Sequence, residues 1–233
     1  MAAQNGPRTE PRIPLSRDRV LRAAVKIADE GGIGSLTMRR LAEELRAEAM
    51  SLYYHVANKE EVLDGIVDVI VDEINEVVAR ADQPATGPAW KNAVRRRILS
   101  AREVLLRHPW APGVLESRAN ASPAIVAYLD SLLGLLRAGG FSYDLAHHAL
   151  HALGSRALGF SQELFDPGGG AGEQDTTAMA EAMGDRFPHL RAMLMEVAHD
   201  EPDSTLGWCD DQFEFEFGLD LILDGLDRMR QTG

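Results

Sequence analysis

Two sets of residues in this 233-residue sequence have the types and spacing to do chemistry. The first is rich in histidine. His147 and His151 are four apart, so on a helix they share a face from which two imidazoles could hold zinc, with His148 beside them. Glu196-Val197-Ala198-His199 has the E-x-x-H spacing of di-iron bundles, which need two such motifs plus two further inward-facing glutamates. Only one such motif is present, and a helical histidine pair is more often a surface or interface feature. The second set is Ser51, Tyr53, Tyr54, His55 and Lys59, with Arg39 upstream: donors and aromatics sized for base edges and phosphates. No Gly-rich phosphate loop, G-x-S-x-G elbow or Cys/His signature occurs. The reading is therefore not an enzyme, with no cofactor and no metal.

The second set needs elements to hold it. Met38, Leu41, Ala42 and Leu45 form an i, i+3, i+4, i+7 stripe, and Thr37 is placed to cap that helix. About three residues then separate it from a second helix, predicted over Ala49–Val56, which buries Leu52 and Val56 and leaves the polar-tipped side chains outward. A helix, a tight turn and a short helix with a thin apolar back is the pattern of a helix-turn-helix with its recognition helix. Ahead of it, Ser16 caps a scaffold helix with Asp18 in its first turn and Leu21, Ala24, Val25 and Ala28 inward, ended by Gly31-Gly32.

Leu36-Thr37-Met38-Arg39 with Leu41-Ala42, then Met50-Ser51-Leu52-Tyr53-Tyr54-His55-Val56 and Asn58-Lys59, resembles the DNA-binding domain of TetR-type transcriptional regulators, over about Ser16 to Leu63. The resemblance implies that Thr37, Arg39, Ala49, Ser51, Tyr53, Tyr54, His55 and Lys59 approach double-stranded operator DNA. Phosphate anchoring falls to Thr37, Tyr53, Lys59 and the start of the following helix. Base reading falls to Arg39, Ala49, Ser51 and Tyr54, with His55 bridging to backbone. Most members carry Gly-Val after the second helix. Here Arg46-Ala47 stands there, so Arg46 would strain the left-handed C-cap geometry that glycine favours, or alter the turn.

The net charge of −12 conceals an asymmetry: residues 1–60 hold ten Lys/Arg against eight Asp/Glu, and the remainder fourteen against twenty-eight. The basic share sits where phosphate would be met. One cysteine, Cys209, excludes an intrachain disulfide. With no membrane-length apolar run and no apolar signal region at the amino terminus, the expectation is a cytoplasmic protein without a membrane partner.

Residues 1–14, with three prolines, Arg8 and Arg12, read as a disordered arm; 15–62 as the helix-turn-helix domain; 63–233 as a ligand-binding and dimerisation domain. Asn58 with Glu61 caps a long helix reaching about Arg80. Helices are further predicted over Trp90–Arg107, near Gly113–Arg118, over Pro123–Arg137, from Ser142 to about Leu164, in shorter pieces at Met179–Gly184 and His189–His199, and over about Asp210–Met229. Asp166–Gly172 reads as a mobile loop. No alternating strand pattern occurs, so the fold class is all-α.

In the last helix Phe213 and Phe217 lie on one side and Phe215, Leu219, Ile222 and Leu226 on another, while Leu145–Phe160 carries many small residues. Apolar surface on two sides points to a central helix or a partner subunit. His108-Pro109-Trp110, Gly139-Gly140-Phe141-Ser142 and Phe217-Gly218-Leu219-Asp220-Leu221-Ile222 resemble the regulatory domain of the tetracycline-repressor branch. That resemblance implies a homodimer through the last long helices and a cavity for a small-molecule effector that releases the operator. The tetracycline-binding positions do not carry over: Asn75, Arg97, Ala101 and Ser155 stand where that repressor has other side chains, so tetracycline is not the expected effector. Ile74, Arg97, Leu105, Trp110, Leu133, His147, His151 and Phe160 are the candidate ligand residues, suiting a mostly apolar ligand with an anionic group for Arg97.

Overall fold

The computed structural model describes residues 14–81, 87–118, 122–159, 181–182, 184–197 and 211–232, and every regular element among them is helical. In chain order these are α1 (Arg17–Gly31), α2 (Met38–Leu45), α3 (Ala49–Leu52), α4 (Lys59–Ala81), α5 (Trp90–Arg107), α6 (Ala111–Ser117), α7 (Pro123–Ala138), α8 (Tyr143–Gly159), α9 (Pro188–Val197) and α10 (Asp211–Thr232), with short 3₁₀ turns at Ile33–Ser35, Gly87–Ala89 and Gly184–Arg186. The expected all-α class is what is found. The arm over 1–13, Phe160, the Asp166–Gly172 loop, the Glu196 side chain, His199 and Cys209 lie outside the described residues.

The chain forms two compact units. One takes in the residues up to Glu76 together with Glu103–Val126; the other takes in Val77–Arg102 and the residues from Ala127 onward.

In the first unit the capping residues act as their types dictate. Ser16 Oγ accepts the Arg19 N–H at 3.2 Å and Thr37 Oγ1 accepts that of Arg40 at 3.1 Å. Asn58 Oδ1 accepts the Glu61 N–H at 2.9 Å, and Glu61 reaches back at 2.6 Å to the N–H of Ala57, one residue before the reciprocal partner of an ordinary capping box. The core gathers Val20, Leu21, Ala24, Ile27 and Ala28 from α1, Leu41, Ala42 and Leu45 from α2, then Leu52, Val56, Leu63 and Ile66. Val25 and Met38, expected inside, are only half-buried. Gly65 lets α1 and α4 approach closely: a Cβ there would sit 2.5 Å from Leu21 Cδ2.

The second helix of the motif is shorter than the predicted Ala49–Val56. It stops at Leu52, and the His55 N–H closes a tighter bond of 2.8 Å onto the Leu52 carbonyl. Tyr53-Tyr54-His55-Val56 is a run of weak helix formers, and the i→i+3 closure replaces a further helical turn. Similarly, α6 begins at Ala111, with Pro112 in its first turn, where proline costs no hydrogen bond.

Buried polar groups fasten the returning segment of this unit. His108 Nδ1 lies 2.7 Å from Asp29 Oδ1 and its Nε2 3.3 Å from Glu73 Oε2, while the Trp110 Nε1–H donates to Asp29 at 2.7 Å. Arg107 also pairs with Glu73. Burial pushes the Glu73 carboxyl up, but the hydrogen bonds from Arg107 and His108 outweigh it and hold the group below its ordinary value. Its contribution to stability is thus complete above the ordinary carboxylate range and is lost as pH falls through the lowered value.

The second unit is organised on Trp90, Val94 and Ile98 of α5, Leu132 and Leu136 of α7, Phe141, Ala146, Ala149 and Leu153 around α8, and Phe215, Leu219, Leu223 and Leu226 of α10. Trp90 and Phe141 meet edge to face at 4.6 Å. The small residues Ala146 and Ala149 face inward with no exposure, and α8 packs against α10. Arg95 is bonded to Asp220 at 2.8 Å and Glu216 at 2.6 Å, fixing α5 to α10.

Arg46 takes the left-handed conformation, φ 51° and ψ 43°, with its N–H directed to Glu43 O, while the Ala47 N–H bonds Ala42 O at 3.0 Å. The turn keeps the glycine-type C-cap, so the side chain bears the strain and the geometry survives. Arg46→Gly should raise the free energy of unfolding by about 0.5–1 kcal/mol, the relief of left-handed strain less glycine's extra chain entropy. Chemical denaturation of the two proteins measures it.

Candidate nucleic-acid interface

The elements that hold the candidate reading surface differ sharply in how much of themselves they bury. On α3 and the turn after it, Leu52 and Val56 are inside, while Tyr54 is 88 % and Tyr53 45 % exposed. Ala49 and Lys59 are exposed too, and Ser51 and His55 half-buried. The sequence expectation of an apolar back and a polar-aromatic front thus matches the exposure pattern. Met50, 72 % exposed between Ala49 and Ser51, was not among the expected residues. Its signal was available: it is two positions from the buried Leu52, so on a helix it points away from it. A thioether there can meet a thymine methyl group.

Each polar group has a definite hydrogen-bond state. Thr37 Oγ1 accepts from Arg40, leaving its hydroxyl proton to donate to a phosphate oxygen. Ser51 Oγ donates to the Glu48 carbonyl at 2.6 Å, so toward DNA it offers lone pairs rather than a proton. Arg39 extends from α2 with its side chain 89 % exposed, and its Nε is bonded at 2.9 Å to Glu43 one turn on. That hydrogen bond and the adjacent charge raise its pKa further above the ordinary guanidinium value. Behind this surface Lys26 of α1 bonds Glu44 of α2 at 2.6 Å, and the bond holds the Glu44 carboxyl below its ordinary range.

At the start of α4, Lys59 stands beside three carboxylates of its first two turns. Glu61 faces Arg17 at 3.7 Å, and Arg118, at the C-cap of α6, reaches Glu60 at 2.9 Å and Asp64 at 3.1 Å.

The candidate effector residues are placed in both units. Ile74, Leu105 and Trp110 are buried in the first, where Trp110 is engaged with Asp29. In the second, Arg97 is 3 % exposed, bonded to Ser131 and stacked over the Tyr128 ring at 4.8 Å, and Leu133 packs on the core. His147 and His151 are exposed on α8 with ring centroids 4.6 Å apart. Among the described residues no three His, Cys, Asp or Glu side chains converge as a metal-ligand set, and no helix is long and apolar enough to cross a membrane.

If Arg39 must leave Glu43 to meet a base, that pair competes with DNA. Glu43→Gln should tighten duplex binding about two- to threefold, the worth of an exposed i, i+4 pair with its screened repulsion. Fluorescence anisotropy titrations of wild type and variant give the ratio.

Comparison with known proteins agrees with this geometry. Residues 20–66 match the family described as "Bacterial regulatory proteins, tetR family", and residues 83–230 match "Tetracyclin repressor-like, C-terminal domain". The chain is 37 % identical over 127 residues to an HTH-type transcriptional regulator of Saccharopolyspora erythraea, covering 54 % of this chain and 51 % of that protein, so this match spans about half of the relative. It is 30 % identical over 232 residues to the HTH-type transcriptional repressor DrrR1 of Streptomyces coeruleorubidus, covering 95 % of this chain and 80 % of that protein. Among solved structures, the TetR family protein ActR of Streptomyces coelicolor in complex with actinorhodin superposes with a TM-score of 0.70 at 26 % identity, covering 94 % of this chain and 99 % of that one.

Proposed function

The chain belongs to the TetR family of bacterial regulatory proteins, and on that premise we propose that it is a homodimeric repressor that binds a palindromic operator and is released by a small molecule other than tetracycline. The observation that carries the DNA half of this reading is the exposed run from Ala49 to Lys59 held on a buried Leu52 and Val56. On this reading Arg39, Ala49, Ser51 and Tyr54 read bases, His55 bridges to backbone, and Thr37, Tyr53, Lys59 and the start of α4 anchor phosphates. The DNA-reading unit is residues 15–62, and 63–233 serve dimerisation and effector binding in the cytoplasm.

Dimerisation is supported by α10. Phe213, Phe217 and Leu221 recur every four residues and are 62, 55 and 56 % exposed, an apolar stripe opposite the buried Phe215, Leu219 and Leu223. A second copy covering it would pair two reading heads on one operator. The effector half is supported by the ligand-bound relative ActR and by the buried Arg97 with the half-buried Leu133 packed on the core.

Selection from a random duplex library, followed by salt titration, tests the whole reading. A palindrome bound with a steep inverse dependence on salt is the expected result; no enrichment would reject it. With the operator known, Arg39→Ala should relax preference at one base position, at a cost of about 1–3 kcal/mol on the preferred base. Lys59→Ala should weaken all sequences alike and lower the salt slope by about 1. Phe217→Glu should shift sedimentation from dimer to monomer and weaken operator binding by more than about tenfold, since each head then binds alone.

A further inference from the structure

The start of α4 carries opposing instructions. Its helix dipole and Lys59 attract a phosphate, yet Glu60, Glu61 and Asp64 crowd the same two turns. Glu61 is already occupied, capping the Ala57 N–H and facing Arg17. Glu60 and Asp64 are 68 and 62 % exposed at the side chain and would repel a DNA strand arriving there. Both are met by one group, the Arg118 guanidinium, whose side chain is only 18 % exposed and whose Nη1 donates to Glu60 at 2.9 Å and Asp64 at 3.1 Å. Arg118 is itself steadied at the end of α6, its Nε lying 3.4 Å from Ser117 Oγ, which in turn donates to the Val114 carbonyl.

Counting Lys59, Arg17 and Arg118 against Glu60, Glu61 and Asp64, the patch is neutral with Arg118 and carries one net negative charge without it. We propose that Arg118, which lies far outside the helix-turn-helix segment, is a positioning residue for DNA binding: it masks Glu60 and Asp64 so that the start of α4 can accept a phosphate. This rests on the assignment of Lys59 and the α4 start as a phosphate anchor. The residue supplies electrostatics rather than a contact of its own, so its effect is long-ranged, indifferent to sequence and screened by salt.

Anisotropy titrations of the full chain against the selected palindrome and a random-sequence duplex, at about 0.05 and 0.5 M salt, test this. Arg118→Gln should weaken both duplexes alike by about five- to tenfold at low salt, with the loss nearly vanishing at high salt. Arg118→Lys, which keeps the charge, should retain most of the affinity. Adding Glu60→Gln and Asp64→Asn to Arg118→Gln should restore it. Wild-type affinity in Arg118→Gln, a loss that persists at high salt, or a triple variant as weak as the single one would overturn the masking role; the last two would leave Arg118 as a packing residue. Absence of wild-type binding to any duplex would instead reject the DNA-binding reading, and the proposal with it.

Discussion

A helix of four residues does not hold itself together in water, because nucleation costs more than one turn of hydrogen bonds returns. α3 is such a helix. It exists because Leu52 has no exposure and Val56 has 1 %, so the apolar back of the segment is fixed by the core even though the backbone bonding is minimal. All the presenting side chains, from Ala49 to His55, inherit their positions from those two anchors. The upstream neighbour of this helix is fixed just as firmly: Arg46 is held in a left-handed conformation by the bonds closing α2, which sets the angle at which α3 departs. Strain at one exposed backbone position is the condition for presenting the rest.

Charge in the first unit is arranged around the same surface. The acids there are numerous for a protein that meets DNA, but five of those nearest the reading surface have basic partners: Glu43 with Arg39, Glu44 with Lys26, Glu61 with Arg17, Glu60 and Asp64 with Arg118. Exposed pairs of this kind contribute little to stability. Their consequence is electrostatic. They convert an almost balanced segment into one whose unneutralised cations, Lys59 foremost, lie where phosphate is expected, while the remaining acidity of −12 overall lies elsewhere in the chain. The second unit uses its acids differently: Asp220, Glu216 and Asp224 grip Arg95 and Lys91 and tie α10 to α5, while Phe213, Phe217 and Leu221 on the same helix stay exposed.

What the sequence made legible is what depends on near neighbours. Capping by Ser16, Thr37 and Asn58 involves residues three apart, and the stripes of α2 and α10 repeat within a few turns, so type and spacing suffice. The division of α10 into a buried side with Phe215 and an exposed side with Phe213 and Phe217 follows from the same period. Periodicity cannot say where a helix stops when the residues beyond keep some apolar character, so it extends α3 one turn past its end at Leu52. Nor can it separate Val25 from Ile27, since both lie near the edge of an apolar stripe and only the neighbouring helices decide between them.

The long-range pairs were illegible for a different reason. Arg118 meets Glu60 across 58 positions, and His108 meets Asp29 across 79. Even where His108-Pro109-Trp110 stands out as a motif, the neighbours of either residue in sequence do not tell which distant carboxylate it meets. The same applies to Arg97, whose candidacy as a handle for an anionic ligand came from residue type, whereas its guanidinium is buried and spent on Ser131 and the Tyr128 ring. A ligand anion reaching Arg97 would have to compete with those partners, so an effector there would act by rearranging α7 against α5 rather than by filling a vacant charge site. The cost of breaking that arrangement is what would couple occupancy to conformation.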